Sequence, residues 1–286
     1  MQHPNLHKNA HLGDVIDNPK SERIKRLKAL SGRSFRIRNQ RFLVEGPSAV
    51  LAFLQTYSDS DFELYVNTSV QEKFADLISL GKALNGRIFV ITPQVCELSL
   101  KDSQGIAIVA PLDFLQRFSL TSDVFEKELR LIVVLANLRD PGNVGTLIRT
   151  ADALGADAVL LSDTCVELAN PKVIRASVGS VFHLPIVANL DLATTCAQLS
   201  ARGVRILGAD VAGKTSLEEL RAPTGSKWSL ADSTAWVFGN EAHGFADLDL
   251  DIFDALVKIP MRGRAESFNV ATAASICLYT SAVSQA

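Results

Sequence analysis

Three stretches pair backbone-permissive residues with polar side chains that could do chemistry. The first runs from Asn137 to Asp152 and holds the turn Asp140-Pro141-Gly142-Asn143, then Arg149. The second is Val237 to Gly244, with Phe238-Gly239-Asn240-Glu241; the third is Ile259 to Val270, with Pro260, Met261, Glu266, Ser267 and Asn269. Each begins where an apolar run ends in a glycine- or proline-bearing turn. In α/β sheets, polar groups gather in this way at the carboxyl ends of strands to form a small-molecule site.

Arg149 has two readings. It can pair with Asp152 one helical turn on, or set a guanidinium beside a phosphate or a reacting hydroxyl. Asn143 can cap a helix or serve a pocket. Ser267 is a natural N-cap for a last helix rich in small residues, Ala271 to Ser275, which calls for close packing against a neighbour. His243 stands alone in its loop and is left out of the catalytic set. Neither a Ser-His-Asp relay nor a carboxylate pair emerges.

The elements that must position these residues alternate. Apolar runs at 131–135, 158–161, 181–187, 204–207, 235–238 and 255–259 read as strands, separated by helical patterns at 143–154, 171–177 and 192–201 and closed by a helix from about 268 to 282. Such alternation specifies a mostly parallel sheet covered on both faces. A smaller α/β unit precedes it. Residues 1–19 read as a polar leader containing His3, His7 and His11, 20–115 as an N-terminal domain, 116–130 as a linker and 131–286 as the second domain.

The N-terminal domain opens on a helix with Ile24, Leu27 and Leu30 on one face. Its remaining surface, with Lys25, Arg26, Arg33 and Arg36, is a candidate phosphate contact in a chain whose net charge is only −2. Cys96, Cys165, Cys196 and Cys277 are far apart and form no metal-ligand spacing, so they read as reduced thiols of a cytoplasmic protein, with no metal. No apolar run reaches a membrane span. Gly208 to Thr215 matches the phosphate loop G-x-x-x-x-G-K-[ST] by letter, but only a short segment separates it from Pro223.

The three stretches resemble the SpoU branch of the SPOUT RNA methyltransferases. The resemblance lies in Asn143-Val144-Gly145 with Ile148 to Ala153, in Phe238 to Glu241, and in Ile259-Pro260-Met261 with Glu266 to Val270, where Phe268 replaces the usual leucine. It covers 131–286; residues 20–115 are similar, more loosely, to a small ribosomal-protein-like α/β domain that carries substrate RNA. It implies a C-terminal domain threaded into a trefoil knot, S-adenosylmethionine as cofactor, a homodimer, and 2′-O-methylation of a ribose in structured RNA, ribosomal rather than transfer RNA. By the match, Gly239, Asn240, Gly244, Ile259, Met261 and Phe268 would line the cofactor pocket. Arg149 would act on the 2′-hydroxyl, with Asn143, Glu241, Ser267 and Asn269 orienting it and the cofactor. The competing readings are a transfer-RNA ribose methyltransferase, a non-catalytic RNA-binding protein and a phosphate-loop nucleotide enzyme.

Overall fold

The computed structural model describes residues 15–221, 228–239, 245 and 249–286. The chain divides into two compact units, one ending at Leu112 and the other beginning at Asp113.

In the first unit the three-residue apolar spacing does form a helix, α1 (Glu22–Ala29), with Ile24 and Leu27 buried. It is followed by α2 (Arg33–Asn39), β1 (Arg41–Glu45), α3 (Pro47–Thr56), β2 (Glu63–Asn67), α4 (Ala75–Ala83), β3 (Arg87–Ile91), α5 (Pro93–Ser99) and β4 (Ile106–Pro111). Thr92 caps α5 and Pro93 opens it. The sheet order is β1-β4-β2-β3, with β2 parallel to β3 and β4 antiparallel to its neighbours. The leader ends sooner than its composition suggests. Ile16 donates to the Val90 carbonyl at 2.8 Å, accepts from Thr92 at 3.1 Å, and packs on the core. His3, His7 and His11 lie outside the described residues.

The second unit begins before the first strand of its sheet. Residues 116–130 belong to it and are not a free linker: Phe125 and Leu129 are buried beside Ile132 and Val134. Arg117 lies over the Phe114 and Phe118 rings and donates to the carbonyls of Phe114 and Phe182. Burial lowers its pKa to about 10. Arg202 donates to the Phe125 carbonyl. These contacts fix a segment whose mixed, charged composition looks like a connector.

The unit continues through β5 (Leu131–Leu135), α6 (Pro141–Ala153), β6 (Ala158–Ser162), α7 (Pro171–Ser177), β7 (Ile186–Leu190), α8 (Leu192–Ala201), β8 (Arg205–Ala209), β9 (Thr215–Ser216), α9 (Leu217–Arg221), β10 (Thr234–Phe238), β11 (Ala255–Lys258) and α10 (Val270–Gln285). The sheet order is β7-β6-β5-β10-β8-β11-β9 and the paired strands are parallel. Every residue of β5, β6 and β10 is buried, which is why these runs are apolar without alternation. The strand expected at 181–187 is displaced. Ser180–Phe182 form a single 3-10 turn and β7 starts after Pro185. Val181 and Phe182 are buried by packing of that turn, and burial alone carries no period.

The phosphate-loop match has a structural explanation. Gly208 lies inside β8, paired with Val237 and Leu256. A Cβ there would stand 2.7 Å from Leu256 and 2.9 Å from Phe245. At Gly213 a Cβ would meet the Leu256 carbonyl oxygen at 2.6 Å. Lys214-Thr215 leads into β9 rather than a helix, and α9 has five residues. The glycines admit β11, and the loop runs first into a strand, with the short α9 starting only at Leu217.

Candidate active site

Because β5, β10, β8 and β11 are adjacent and parallel, their carboxyl ends share one edge of the sheet. The first stretch leaves that edge after β5, the second after β10 and the third after β11. The sheet thus gathers segments more than a hundred residues apart in sequence, as a composite site requires.

At the first stretch, Asp140 is the N-cap of α6, its carboxylate accepting from the Asn143 N–H at 2.8 Å, and Pro141 opens the helix. Asn143 is therefore inside the first turn, and the capping reading of its side chain does not hold. At the third stretch, the N-cap of α10 is Asn269, not Ser267. Its side-chain oxygen accepts from Ala271 at 3.0 Å and Thr272 at 3.4 Å. Ser267 is exposed two residues before the cap.

The two asparagines meet. Asn269 Nδ2 donates to Asn143 Oδ1 at 3.2 Å. With Thr146, Thr272 and Tyr279 they line a groove of about 540 Å³ between α6 and α10. The small residues of α10 allow this approach: Ala274 and Cys277 are buried, and Ser281 accepts from the Trp236 indole at 2.8 Å.

Arg149 is exposed on α6. It does not pair with Asp152, whose carboxylate instead meets His183 Nδ1 at 2.8 Å. Six residues separate Arg149 from Asn143, and at about 100° per residue the two face differently around the helix. Arg149 accordingly does not line the groove. Gly239, Ile259 and Met261 are half-buried just beyond β10 and β11, and Phe268 is 38% exposed. Asn240, Glu241 and Gly244 lie outside the described residues.

One other group narrows the chemistry. Burial pushes the Cys165 thiol up, and it donates to the Leu135 carbonyl at 3.1 Å, so it stays a thiol rather than a nucleophilic thiolate. Among the described residues, no cluster of His, Cys, Asp and Glu could hold a metal ion.

On the first unit, Lys25 pairs with Glu22 at 2.7 Å on the surface, and Arg26 and Arg33 are exposed. Arg36 is a correction. It is 2% exposed and donates to the Leu30 and Ser31 carbonyls, so it ties α2 to the end of α1 and cannot reach a phosphate. Arg41 belongs to the same basic segment as Arg33 and Arg36, whereas Arg87 stands apart from it in sequence. Each opens a strand; for Arg87 a lone charge at the end of an apolar run was the available signal.

The SpoU rRNA Methylase family matches residues 130–279. The chain is 32% identical over 240 residues to the 23S rRNA (guanosine-2′-O-)-methyltransferase RlmB of Nitrosomonas europaea, covering 82% of this chain and 88% of that one. It is 37% identical over 150 residues to the 23S rRNA (guanosine(2553)-2′-O)-methyltransferase RlmP of Bacillus subtilis, covering 52% and 57%. The fold superposes on the SpoU methyltransferase AviRb from Streptomyces viridochromogenes, solved in complex with AdoMet. The TM-score is 0.76 at 25% identity, over 92% of this chain and 98% of that one. With motifs, sheet topology and relatives in agreement, the chain belongs to the SpoU rRNA methylase family.

Proposed function

We propose that this chain is an S-adenosylmethionine-dependent ribose 2′-O-methyltransferase acting on ribosomal RNA. The observation that carries the reading is the Asn269–Asn143 hydrogen bond, which joins the first and third motifs at the carboxyl edge of the sheet. The residues beyond β10 and β11 suit the cofactor. Gly239 brings no side chain, and Ile259 and Met261 leave apolar side chains half-exposed for an adenine to cover. The cofactor supplies an electrophilic methyl group on a sulfonium.

The chain's own residues supply alignment and charge. Ribose hydroxyl is a poor nucleophile, and holding it in line is worth up to about 7–11 kcal/mol in well-oriented systems. The Arg149 guanidinium stabilises negative charge developing on the ribose oxygen as that oxygen's proton passes to solvent water. Asn143 and Asn269 form a polar pair at the carboxyl edge of the sheet. Glu241 and Ser267 complete the orienting set, and Asn240, Gly244 and Phe268 complete the cofactor wall.

The finer expectations are part of the same reading. A trefoil knot is supported by β10 lying between β5 and β8 and by the return of α10 against α6 after β11. A homodimer with the site at the subunit interface is supported by the groove between α6 and α10 and by Tyr279 and Val283, 61% and 56% exposed. The first unit is read as a ribosomal-protein-like RNA-binding domain. Four free cysteines suit the reducing cytoplasm.

The test is transfer of tritiated methyl from S-adenosylmethionine to ribosomal RNA from cells lacking the protein, with the product mapped for 2′-O-methylribose. Label appearing in base carbons or nitrogens, or none in ribosomal RNA, overturns the proposal.

A further inference from the structure

At one end of the N-terminal sheet, α1, α2 and all four strands line a cavity of about 560 Å³, within the size range of small-ligand sites. Arg23 and Arg26 reach it from α1, Arg41 from the start of β1 and Arg87 from the start of β3. Two carboxylates line the same space, and both are engaged. Glu22 accepts from Lys25 at 2.7 Å. Glu63 takes Arg23 at 3.0 Å and Arg87 at 3.2 Å on one oxygen, and the Tyr65 hydroxyl at 2.6 Å on the other. One carboxylate against two guanidiniums leaves positive charge in excess. Arg26 makes no ion pair within 4.0 Å among the described residues, though its charge acts on Glu22 one turn before it. Phe35, half-buried, forms part of the wall.

An ion cluster that only ties α1 to the sheet would need Arg23 and Glu63 alone. It would not need Arg87, whose side chain is 59% exposed, or Arg26 at the mouth of an open space. We propose that this cavity takes one unpaired nucleotide of the substrate RNA, its phosphate between Arg26 and Arg87 and its base against Phe35. The inference rests on the reading of the chain as an RNA methyltransferase. Guanidinium forks match phosphate oxygens. Unstacked bases settle on aromatic rings and arginine planes, whereas duplex bases are not available to do so. The Glu63 clamp holds two of the arginines in place before RNA arrives, which lowers the ordering cost of binding.

The test uses the full-length protein, a fluorescein-labelled six-nucleotide oligouridylate and a labelled blunt RNA duplex, followed by anisotropy over a salt series. Arg26→Ala is expected to weaken single-strand binding about fivefold and to reduce the slope of log affinity against log salt by about 0.7, one phosphate contact. Phe35→Leu keeps apolar cover on the core but loses the stacking face. It is expected to weaken single-strand binding about tenfold and leave the slope unchanged. Duplex affinity should change less than about twofold in both variants, as no base is unstacked to enter. Single-strand affinity unchanged in both variants, or single strand and duplex weakened alike, overturns the nucleotide pocket. The assay needs neither cofactor nor methyl transfer. A methylating enzyme without these effects therefore loses only the pocket, and a binding effect without methylation loses only the catalytic reading.

Discussion

The side chain of Asn269 faces two ways: its oxygen caps α10 and its nitrogen donates at 3.2 Å to Asn143. The two roles fix the amide orientation, because a flipped amide would point its NH₂ at the N–H groups it caps. The N-terminal ends of α6 and α10, 126 residues apart at this pair, are thereby held in one geometry.

Substitution can separate the two roles. Asn269→Asp keeps an oxygen for the cap but loses the donor to Asn143. Its stability to urea should stay within about 0.5 kcal/mol of the parent, since Asp and Asn cap equally well. Methyl transfer should fall, as the acid oxygen now faces the Asn143 oxygen. Asn269→Ala should lose activity and also about 1 kcal/mol of stability. Full activity in Asn269→Asp would remove the pair from the site.

Arg149→Ala should lower kcat by about 10²–10³, the cost of removing a group that stabilises developing negative charge. Cofactor affinity measured by calorimetry should change less than about twofold, because binding and charge stabilisation are separate contributions. Arg149→Lys should recover only part of the loss, since an ammonium keeps the charge without the planar fork. Equal losses in cofactor binding and turnover would make Arg149 a structural residue.

Much of this arrangement was legible in the sequence for one reason: buried parallel strands are uniformly apolar, and the polar turns after them stand out. β5 coincides with its apolar run residue for residue, and β10 starts one residue before its run, at Thr234. The misreadings have a common cause in tertiary packing. Ser267 and Asn269 are equally good caps by type, and only the position of Asn143 favours the second. Val181 and Phe182 are apolar because a tight turn buries them, not because they pair in a sheet. Gly208 and Gly213 spell a phosphate loop by letter but make room for Leu256. Arg36 looks like its basic neighbours until the carbonyls of Leu30 and Ser31 are seen around its guanidinium.

That burial separates Arg36 from Arg26 experimentally. Arg36→Ala leaves two carbonyls in a buried or part-buried setting without their donor, at a cost of about 1–3 kcal/mol. Its urea midpoint should fall while the salt dependence of RNA binding, measured where the protein remains folded, stays at the parent slope. Arg26→Ala should do the reverse. A reduced slope in Arg36→Ala, with stability unchanged, would return Arg36 to the RNA surface.

The Asn143-Val144-Gly145 motif holds a residue whose importance is mechanical. A Cβ at Gly145 would stand 2.5 Å from the Ala176 Cβ and 2.6 Å from the Val173 carbonyl oxygen. α6 and α7 therefore touch backbone to backbone at this point, and no rotamer change can relieve the overlap. Gly145→Ala gains helix propensity worth about 1 kcal/mol. Overpacking of this kind costs about 1–3 kcal/mol, and backbone contact places it at the upper end. The net expectation is destabilisation by about 1–2 kcal/mol, read as a lower urea midpoint with the m-value unchanged. The shift of α6 needed to admit the methyl group would also move Asn143 from Asn269, so activity should fall even where the protein remains folded. A stabilised Gly145→Ala with full activity would show that α7 can move aside and that the motif glycine is there for another reason.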